Sequence, residues 1–315
     1  MTLVPTRCAV VGVGHLGKFH AQKYKAISSA ELVGVCDTSA ERAKAVAEEL
    51  SCKAFTNPKE LIGHVDAVTI AASTPAHYEL CKLFLSSGVH VHVEKPMTET
   101  SKQGRELCDL AEQKKIKFQV GHVERFNPAL VAAREKLAKP LFIECTRLAP
   151  FKPRSIEVDV VLDLMIHDLD VILSLVKSPV KEVSAVGTPV LTQTADIANA
   201  RIEFENGTIA NVTASRVSQK SQRKFRVFQR DQYLSIDFGT GEVNLLTKTG
   251  EWNEGEVPID AEAWNLEKGD ALLAETQSFV EAIQIGQPVV VSGRDGLVAL
   301  ELAEKVIEEI KARYA

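Results

Sequence analysis

The chain has 315 residues, of which 45% are hydrophobic and 25% charged, with a net charge of −5. At about 150 residues per domain this length favours two domains, and the composition is that of a globular chain, neither disordered nor collagen-like. The acidic balance, with basic residues spread throughout, argues against a binder of nucleic acid or of an anionic membrane surface.

Cysteines at 8, 36, 52, 81, 108 and 145 are far apart and lack the C-x-x-C or Cys/His spacing of a zinc or redox site. Several lie in apolar runs, where cysteine is usually a small buried hydrophobe. The chain contains no apolar run of about 18 residues, so nothing is expected to span a bilayer. Its start runs directly into a strand-like segment without a signal-peptide pattern. These features point to the cytoplasm and to reduced thiols. The sequons at Asn206 and Asn211 are accordingly expected to be turn and strand residues.

In chain order, short apolar runs at 7–13, 31–36, 65–71, 89–93 and 118–120 predict strands. Amphipathic stretches at 17–25, 40–50, 77–86 and 101–114 predict the helices between them. Strands such as VDAVTIAA are almost continuously apolar, as they are when helices cover both faces of a parallel sheet. Strand alternating with helix implies βαβ units, hence an α/β doubly wound parallel sheet of the Rossmann type over residues 1–121.

Beyond Gly121 the pattern changes. Asn206-Gly207 stands between two alternating runs, a strong hairpin signal, and more alternation follows through 225–246. One long helix is predicted over 160–176, and two amphipathic helices over 271–285 and 296–314. Residues 122–315 thus read as an α+β domain, a largely antiparallel sheet covered by helices, with the final helices returning to the first domain.

Gly12-Val13-Gly14-His15-Leu16-Gly17 has the form G-x-G-x-x-G, after a predicted strand and at the opening of a predicted helix. Gly12 allows the tight turn, Gly14 a close approach of a pyrophosphate, and Gly17 close helix–strand packing. The helix N-terminus adds free amides and partial positive charge. The second strand ends in Asp37, which is placed to hold a ribose diol and to repel a 2′-phosphate, so NAD is the expected cofactor. The bland alternative is that Asp37 merely caps the following helix. Arg42, the nearby cation, is expected beside the adenine.

His90-Val-His-Val-Glu94-Lys95-Pro96 closes another strand. Ligands of open α/β sheets sit outside the strands' carboxyl ends, so Glu94 and Lys95 are expected at the cofactor crevice, though a lysine there could simply solvate a loop. Asp163 and His167 are four apart on the predicted long helix and so share a face. A histidine backed by a carboxylate suits a general base. A satisfied buried histidine, a capping or ion-pair role, and a metal site with Asp168 compete with that reading.

The glycine motif, ASTPAHYEL, EKP and D-x-x-x-H occur in the order found in the Gfo/Idh/MocA (glucose–fructose oxidoreductase, inositol dehydrogenase, MocA) family, which the chain resembles along essentially its whole length. GHVERFNPAL is similar to that family's G-x-x-x-R-F-x-P stretch. The resemblance implies an NAD(P)-dependent dehydrogenase acting on a secondary hydroxyl of a sugar, polyol or sugar nucleotide, without a resident metal. It implies that Lys95 hydrogen-bonds the reacting hydroxyl, that Pro96 is cis, that His167 takes the hydroxyl proton, and that Asp163 orients the substrate or assists the proton relay. By position it also brings Ser73, Thr74 and His77 to the cofactor, although Ser73 replaces the first proline of the commoner P-T-x-x-H form.

GHVERFNPAL together with PRSIEVDVVLDLMIHDLDVIL further resembles the branch that oxidises C3 of UDP-N-acetylglucosamine for later amination. A UDP-sugar needs cations and polar groups, for which Glu124, Arg125, Arg147, Lys152 and Arg154 are candidates; plain surface charge is the competing reading of these cations. A free-polyol dehydrogenase and a non-catalytic NAD(H)-binding regulator remain the alternatives. The family resemblance also implies a homodimer or homotetramer that pairs through the sheet face the long helix leaves open.

Overall fold

The computed structural model describes residues 4–152, 158–253, 255, 257–267 and 269–313. The chain falls into two compact units, one running through Val123 and taking in Asp270–Leu300, the other comprising Glu124–Gly269 and the residues from Glu301.

In the first unit the elements are β1 (Thr6–Val11), α1 (His15–Ala26), β2 (Ala30–Cys36), α2 (Ala40–Leu50), β3 (Lys53–Phe55), β4 (Ala67–Ile70), α3 (Thr74–Ser86), β5 (His90–Glu94), α4 (Ser101–Lys114) and β6 (Phe118–Gly121). The six strands form one parallel sheet in the order β3-β2-β1-β4-β5-β6. This is the doubly wound order whose direction switches at β1/β4, where such sheets bind their ligands. β3 escaped the sequence reading because three residues carry no periodicity; Gly34 of β2 makes its place, since a Cβ there would lie 2.5 Å from the Phe55 ring.

Local chemistry fixes the helix starts. The Ser39 and Thr100 side chains accept N–H bonds from Arg42 and Gln103 and cap α2 and α4. α3 begins at Thr74, three residues before the sequence-based start, because Pro75 fits the first helical turn, where its missing N–H is no loss.

The second unit holds α5 (Pro128–Ala133), β7 (Phe142–Leu148), a π-helical turn at Val161–Met165, α6 (Ile166–Val176), β8 (Val180–Thr188), β9 (Ile197–Phe204), β10 (Ile209–Ser215), β11 (Gln222–Gln229), β12 (Gln232–Asp237), β13 (Glu242–Lys248) and β14 (Ile259–Asn265). These eight strands make a sheet ordered β14-β13-β12-β11-β7-β10-β9-β8, antiparallel except where β7 runs parallel to β10. Gly207 turns the β9–β10 hairpin at φ +86°, and Asn206 accepts the Thr208 N–H there. Asn211 is a residue of β10.

The π-turn and α6 pack on β10, and α5 packs on β12 and β13. Under them lie Ile143, Ala200, Ala210, Val212, Phe225, Val227 and Leu234, all fully buried. The opposite face carries polar pairs such as Asn199–Thr213 and Arg226–Glu144, and an aromatic row of Phe142, Phe228 and Tyr233.

α7 (Ala271–Gln284), capped by Asp270, packs against α1 and β1, where Phe279 and Val280 join the core of Tyr24, Val35 and Val46. Burying a phenylalanine of this kind contributes about 2–3 kcal/mol. α8 (Gly293–Ala312) belongs to the first unit as far as Leu300 and to the second from Glu301.

Candidate active site

The turn after β1 shows why each glycine is needed. Gly12 has φ +83°, and a Cβ on it would lie 2.6 Å from the Ala72 backbone. On Gly17 it would lie 1.8 Å from the Gly12 carbonyl oxygen. Beside Gly14, by contrast, nothing comes within 4 Å of that position. No side chain caps α1, and His15 and Leu16 of its first turn are exposed. The first-turn amides therefore face an open cradle shaped for an anion.

Asp37, at the end of β2, aims back at this turn. Its Oδ2 accepts the Val13 N–H at 2.9 Å, its Oδ1 accepts the Ser39 N–H at 2.9 Å, and Arg42 Nη1 reaches both oxygens at 3.2 and 3.3 Å. Since Ser39 is the α2 cap, Asp37 is not, and its carboxylate is free of that duty. Arg42 keeps a half-exposed guanidinium and can yield its place. Glycine cradle, uncapped amides and an acid on the turn together fit a dinucleotide with an unmodified ribose diol, with Gly12, Gly14, Gly17 and Asp37 to hold it.

Ser73, exposed, precedes α3, and Thr74 opens it. His77 is buried, with Nδ1 3.0 Å from the Pro96 carbonyl and Nε2 3.0 Å from the Ala72 carbonyl. It ties the segment after β4 to the segment after β5 through its ring, and burial holds its pKa below the usual imidazole range. The Lys95–Pro96 bond is cis. Lys95 is half-buried, whereas the Glu94 carboxylate is turned inward onto His20 at 2.7 Å.

In the second unit Asp163 sits in the π-turn and His167 in the first turn of α6, both half-buried, while Val161, Met165, Ile166 and Asp168 are buried. A continuous α-helix was the expectation from sequence; the wider turn inserts where the two functional candidates lie, as π-turns often do at sites.

Arg147 from β7 is buried and does not present its guanidinium to solvent. Nε and Nη2 bond the two oxygens of Asp168 at 2.8 and 2.9 Å, and Nη1 bonds Glu124 at 2.9 Å. Burial opposes its charge, but Asp168 and Glu124 outweigh that cost and raise its pKa above the ordinary guanidinium value. Arg125 forms a second fork on Asp170, at 2.7 and 3.1 Å. Glu124 also accepts from Asn127 at 3.1 Å.

Glu124, Arg125 and Arg147 thus form a buried ionic frame beneath the His167 helix, and Asp168 is drawn away from any metal shared with His167. Lys152 is exposed; Arg154 lies outside the described residues. Among the described residues, no cluster of His, Cys, Asp and Glu is arranged to hold a metal ion.

The sequence reading missed the partners that organise both halves: His20, which meets Glu94, and Asp170, which meets Arg125. Asp168 it weighed only as a metal ligand. One sequence signal was available, the D-L-D run after His167, whose acids stand in a helix apolar nearly all round, are both buried, and so require cationic partners.

Residues 6–122 match the family described as "Oxidoreductase family, NAD-binding Rossmann fold", and residues 135–234 match its C-terminal domain. The chain is 40% identical, over 98% of its length and 99% of the relative's, to a UDP-N-acetylglucosamine 3-dehydrogenase of Acidithiobacillus ferrooxidans. A solved structure of a UDP-N-acetylglucosamine 3-dehydrogenase from that organism superposes with a TM-score of 0.92, at the same identity and coverage. The scyllo-inositol 2-dehydrogenase (NAD(+)) of Bacillus subtilis is 28% identical over 94% of this chain and 91% of its own. On its two matched domains and its full-length likeness to these dehydrogenases, the chain belongs to the Gfo/Idh/MocA family of oxidoreductases with an NAD-binding Rossmann fold.

Proposed function

We propose that the protein oxidises the C3 hydroxyl of UDP-N-acetylglucosamine with NAD, giving the 3-keto sugar nucleotide. The observation that carries this reading is the 40% identity, end to end, with a dehydrogenase of that substrate. The inositol dehydrogenases among the relatives, at lower identity, fit less well.

When bound, NAD supplies the acceptor for the hydride that leaves C3. The chain's own residues handle the proton and the charge. His167 takes the hydroxyl proton as general base, at a position held by the Asp168–Arg147 fork one residue along its helix. The Lys95 ammonium donates to the same oxygen and stabilises the negative charge that grows on it as the proton leaves. Asp163 orients the substrate beside His167. The glycine cradle and the α1 amides bind the pyrophosphate of the dinucleotide, and Asp37 takes the ribose hydroxyls and disfavours a 2′-phosphate. Lys152, exposed after β7, and Arg154 supply cations for the diphosphate of the sugar nucleotide.

The reading includes a homo-oligomer formed through the open sheet face, where the Phe142–Phe228–Tyr233 row offers apolar surface. It also includes a reducing compartment, the cytoplasm, in keeping with described cysteines that are all free and mostly buried.

The deciding experiment follows NADH formation by nucleotide-free enzyme given NAD with UDP-N-acetylglucosamine or with myo-inositol. Turnover of the UDP-sugar, with the keto group located at C3 by NMR, is expected. Turnover of myo-inositol alone would overturn the substrate, and binding of NAD without turnover of any hydroxyl compound would overturn the enzyme assignment. Light scattering of the same preparation reads the oligomer.

A further inference from the structure

His20 lies on the buried face of α1 with Gly17, Ala21 and Tyr24, and is fully buried. Its Nε2 is 2.7 Å from Glu94 Oε1. A carboxylate only accepts, so the imidazole donates its Nε2–H. The other oxygen, Oε2, accepts the backbone N–H of Lys95 at 3.2 Å. The far side is closed by β6, where a Cβ on Gly121 would lie 3.1 Å from the carboxylate. Glu94 is thus enclosed by α1, β6 and the peptide of Lys95.

We propose that His20 is a positioning residue for the dehydrogenase reaction: through Glu94 it fixes the backbone from which Lys95 projects, and so joins the helix that receives the cofactor's pyrophosphate to the residue that meets the substrate hydroxyl. The inference rests on the role given above to Lys95, and not on which sugar is oxidised.

A buried carboxylate is costly unless it is paired and hydrogen-bonded. Around Glu94 burial works to raise its pKa, while His20, His92 and Lys95 lower it, with lowering the net result. Several titratable groups face the pair. His92 meets His20 edge to face at 5.2 Å, and burial keeps it neutral, with a pKa of about 3. Glu275 of α7 stands 3.7 Å beyond it. His77 of α3, buried with a lowered pKa, and the Lys95 ammonium are further neighbours. His20 gives the Glu94 carboxylate a direct side-chain donor. Five residues from the start of α1 place it about 7–8 Å along the axis from the phosphate-binding end, a span too short for the helix to bend.

The test compares His20→Leu, which removes the donor, with His20→Gln, which returns an N–H near the Nε2 position, and with Glu94→Gln and the His20→Leu/Glu94→Gln double variant. Turnover is expressed per NAD-binding site, titrated by NADH fluorescence, and kcat is followed against pH. In His20→Leu, kcat is expected to fall by about tenfold or more while the Kd for NAD changes by less than about threefold. Without its donor Glu94 takes up a proton at higher pH, so kcat acquires a limb that rises with pH. That limb disappears in the double variant, and His20→Gln recovers most of the loss.

Wild-type kcat per site with an unchanged pH profile in His20→Leu would overturn the proposal. If that variant does not fold, Glu94→Gln decides: a lower kcat with unchanged NAD affinity supports the role, and an unchanged kcat refutes it. The wild-type enzyme run alongside reports separately on the substrate, and the ratio of variant to wild type is taken on whichever hydroxyl compound the wild type oxidises.

Discussion

Replacing Arg147 with alanine separates a guanidinium that holds the protein together from one that holds a substrate. In the structure it contributes both hydrogen bonds drawn to Asp168 and one of those drawn to Glu124, all at 2.8–2.9 Å and out of solvent. Its removal leaves two buried carboxylates with less compensation, and breaking a buried pair from one side costs about 3–5 kcal/mol. With a urea dependence of about 2 kcal/mol per M, the unfolding midpoint should drop by about 2 M. Arg147→Lys keeps the charge but loses the planar fork, so it should fall between the two, at about 1–3 kcal/mol. Urea denaturation followed by circular dichroism measures this, with steady-state kinetics on the same samples. Because the fork grips the residue after His167, kcat should fall more than KM for the UDP-sugar rises. An Arg147→Ala protein as stable as wild type, with normal kcat and KM raised about tenfold or more, would refute the reasoning and put the guanidinium on the substrate's diphosphate.

Asp37→Ala should weaken NAD binding by about 1.5–3 kcal/mol, the worth of hydrogen bonds to a charged group, and should let NADP compete; an unchanged NADP/NAD preference in kcat/KM would count against Asp37 as the ribose ligand. Lys95→Ala and His167→Ala should each abolish turnover while NADH fluorescence titration shows nearly intact cofactor binding; activity near wild type in either would remove that residue from the chemistry. Asp196 concerns stability. Burial works to raise its pKa, but the amides of Leu191, Val190 and Thr192 with Arg216 hold it well below the usual carboxylate range. The stability it contributes is complete above the unfolded pKa near ~3.9 and fades as pH falls below that. Asp196→Asn should cost about 2 kcal/mol at neutral pH, and the gap from wild type in thermal or urea melts should close on acidification; a gap independent of pH would show that the charge is not what matters.

The parts of the fold legible in the sequence were those with a strong local signature. G-x-G-x-x-G after an apolar strand located the cradle because steric demand at Gly12 and Gly17 admits no other residue, and Asn206-Gly207 located a hairpin because that turn needs a positive φ. Illegible were features set by partners distant in sequence. Arg147 looked like a free cation because Asp168, on the helix after β7, and Glu124, in the turn before α5, are each more than 20 residues away and become its neighbours only on folding. Glu94 looked like a cofactor ligand because a strand end predicts where the backbone goes, not that the side chain folds back onto His20. The π-turn at Val161–Met165 was hidden because an inserted residue barely alters a run that is apolar nearly all round.

β7 runs parallel to β10, and β8, antiparallel to β9 as β9 is to β10, points the same way. The chain between β7 and β8, which carries Asp163 and His167, is thus a strand–helix–strand crossover inside a sheet whose other consecutive strands pair as hairpins, except β10 and β11, which flank β7. Crossovers of this kind are almost always right-handed, because L-residues twist strands one way. The side of the sheet that bears Asp163 and His167 was therefore settled by backbone chirality before any side chain was chosen. Evolution can lengthen or rewrite the segment leading into that helix without moving a single rung of the ladder beneath it.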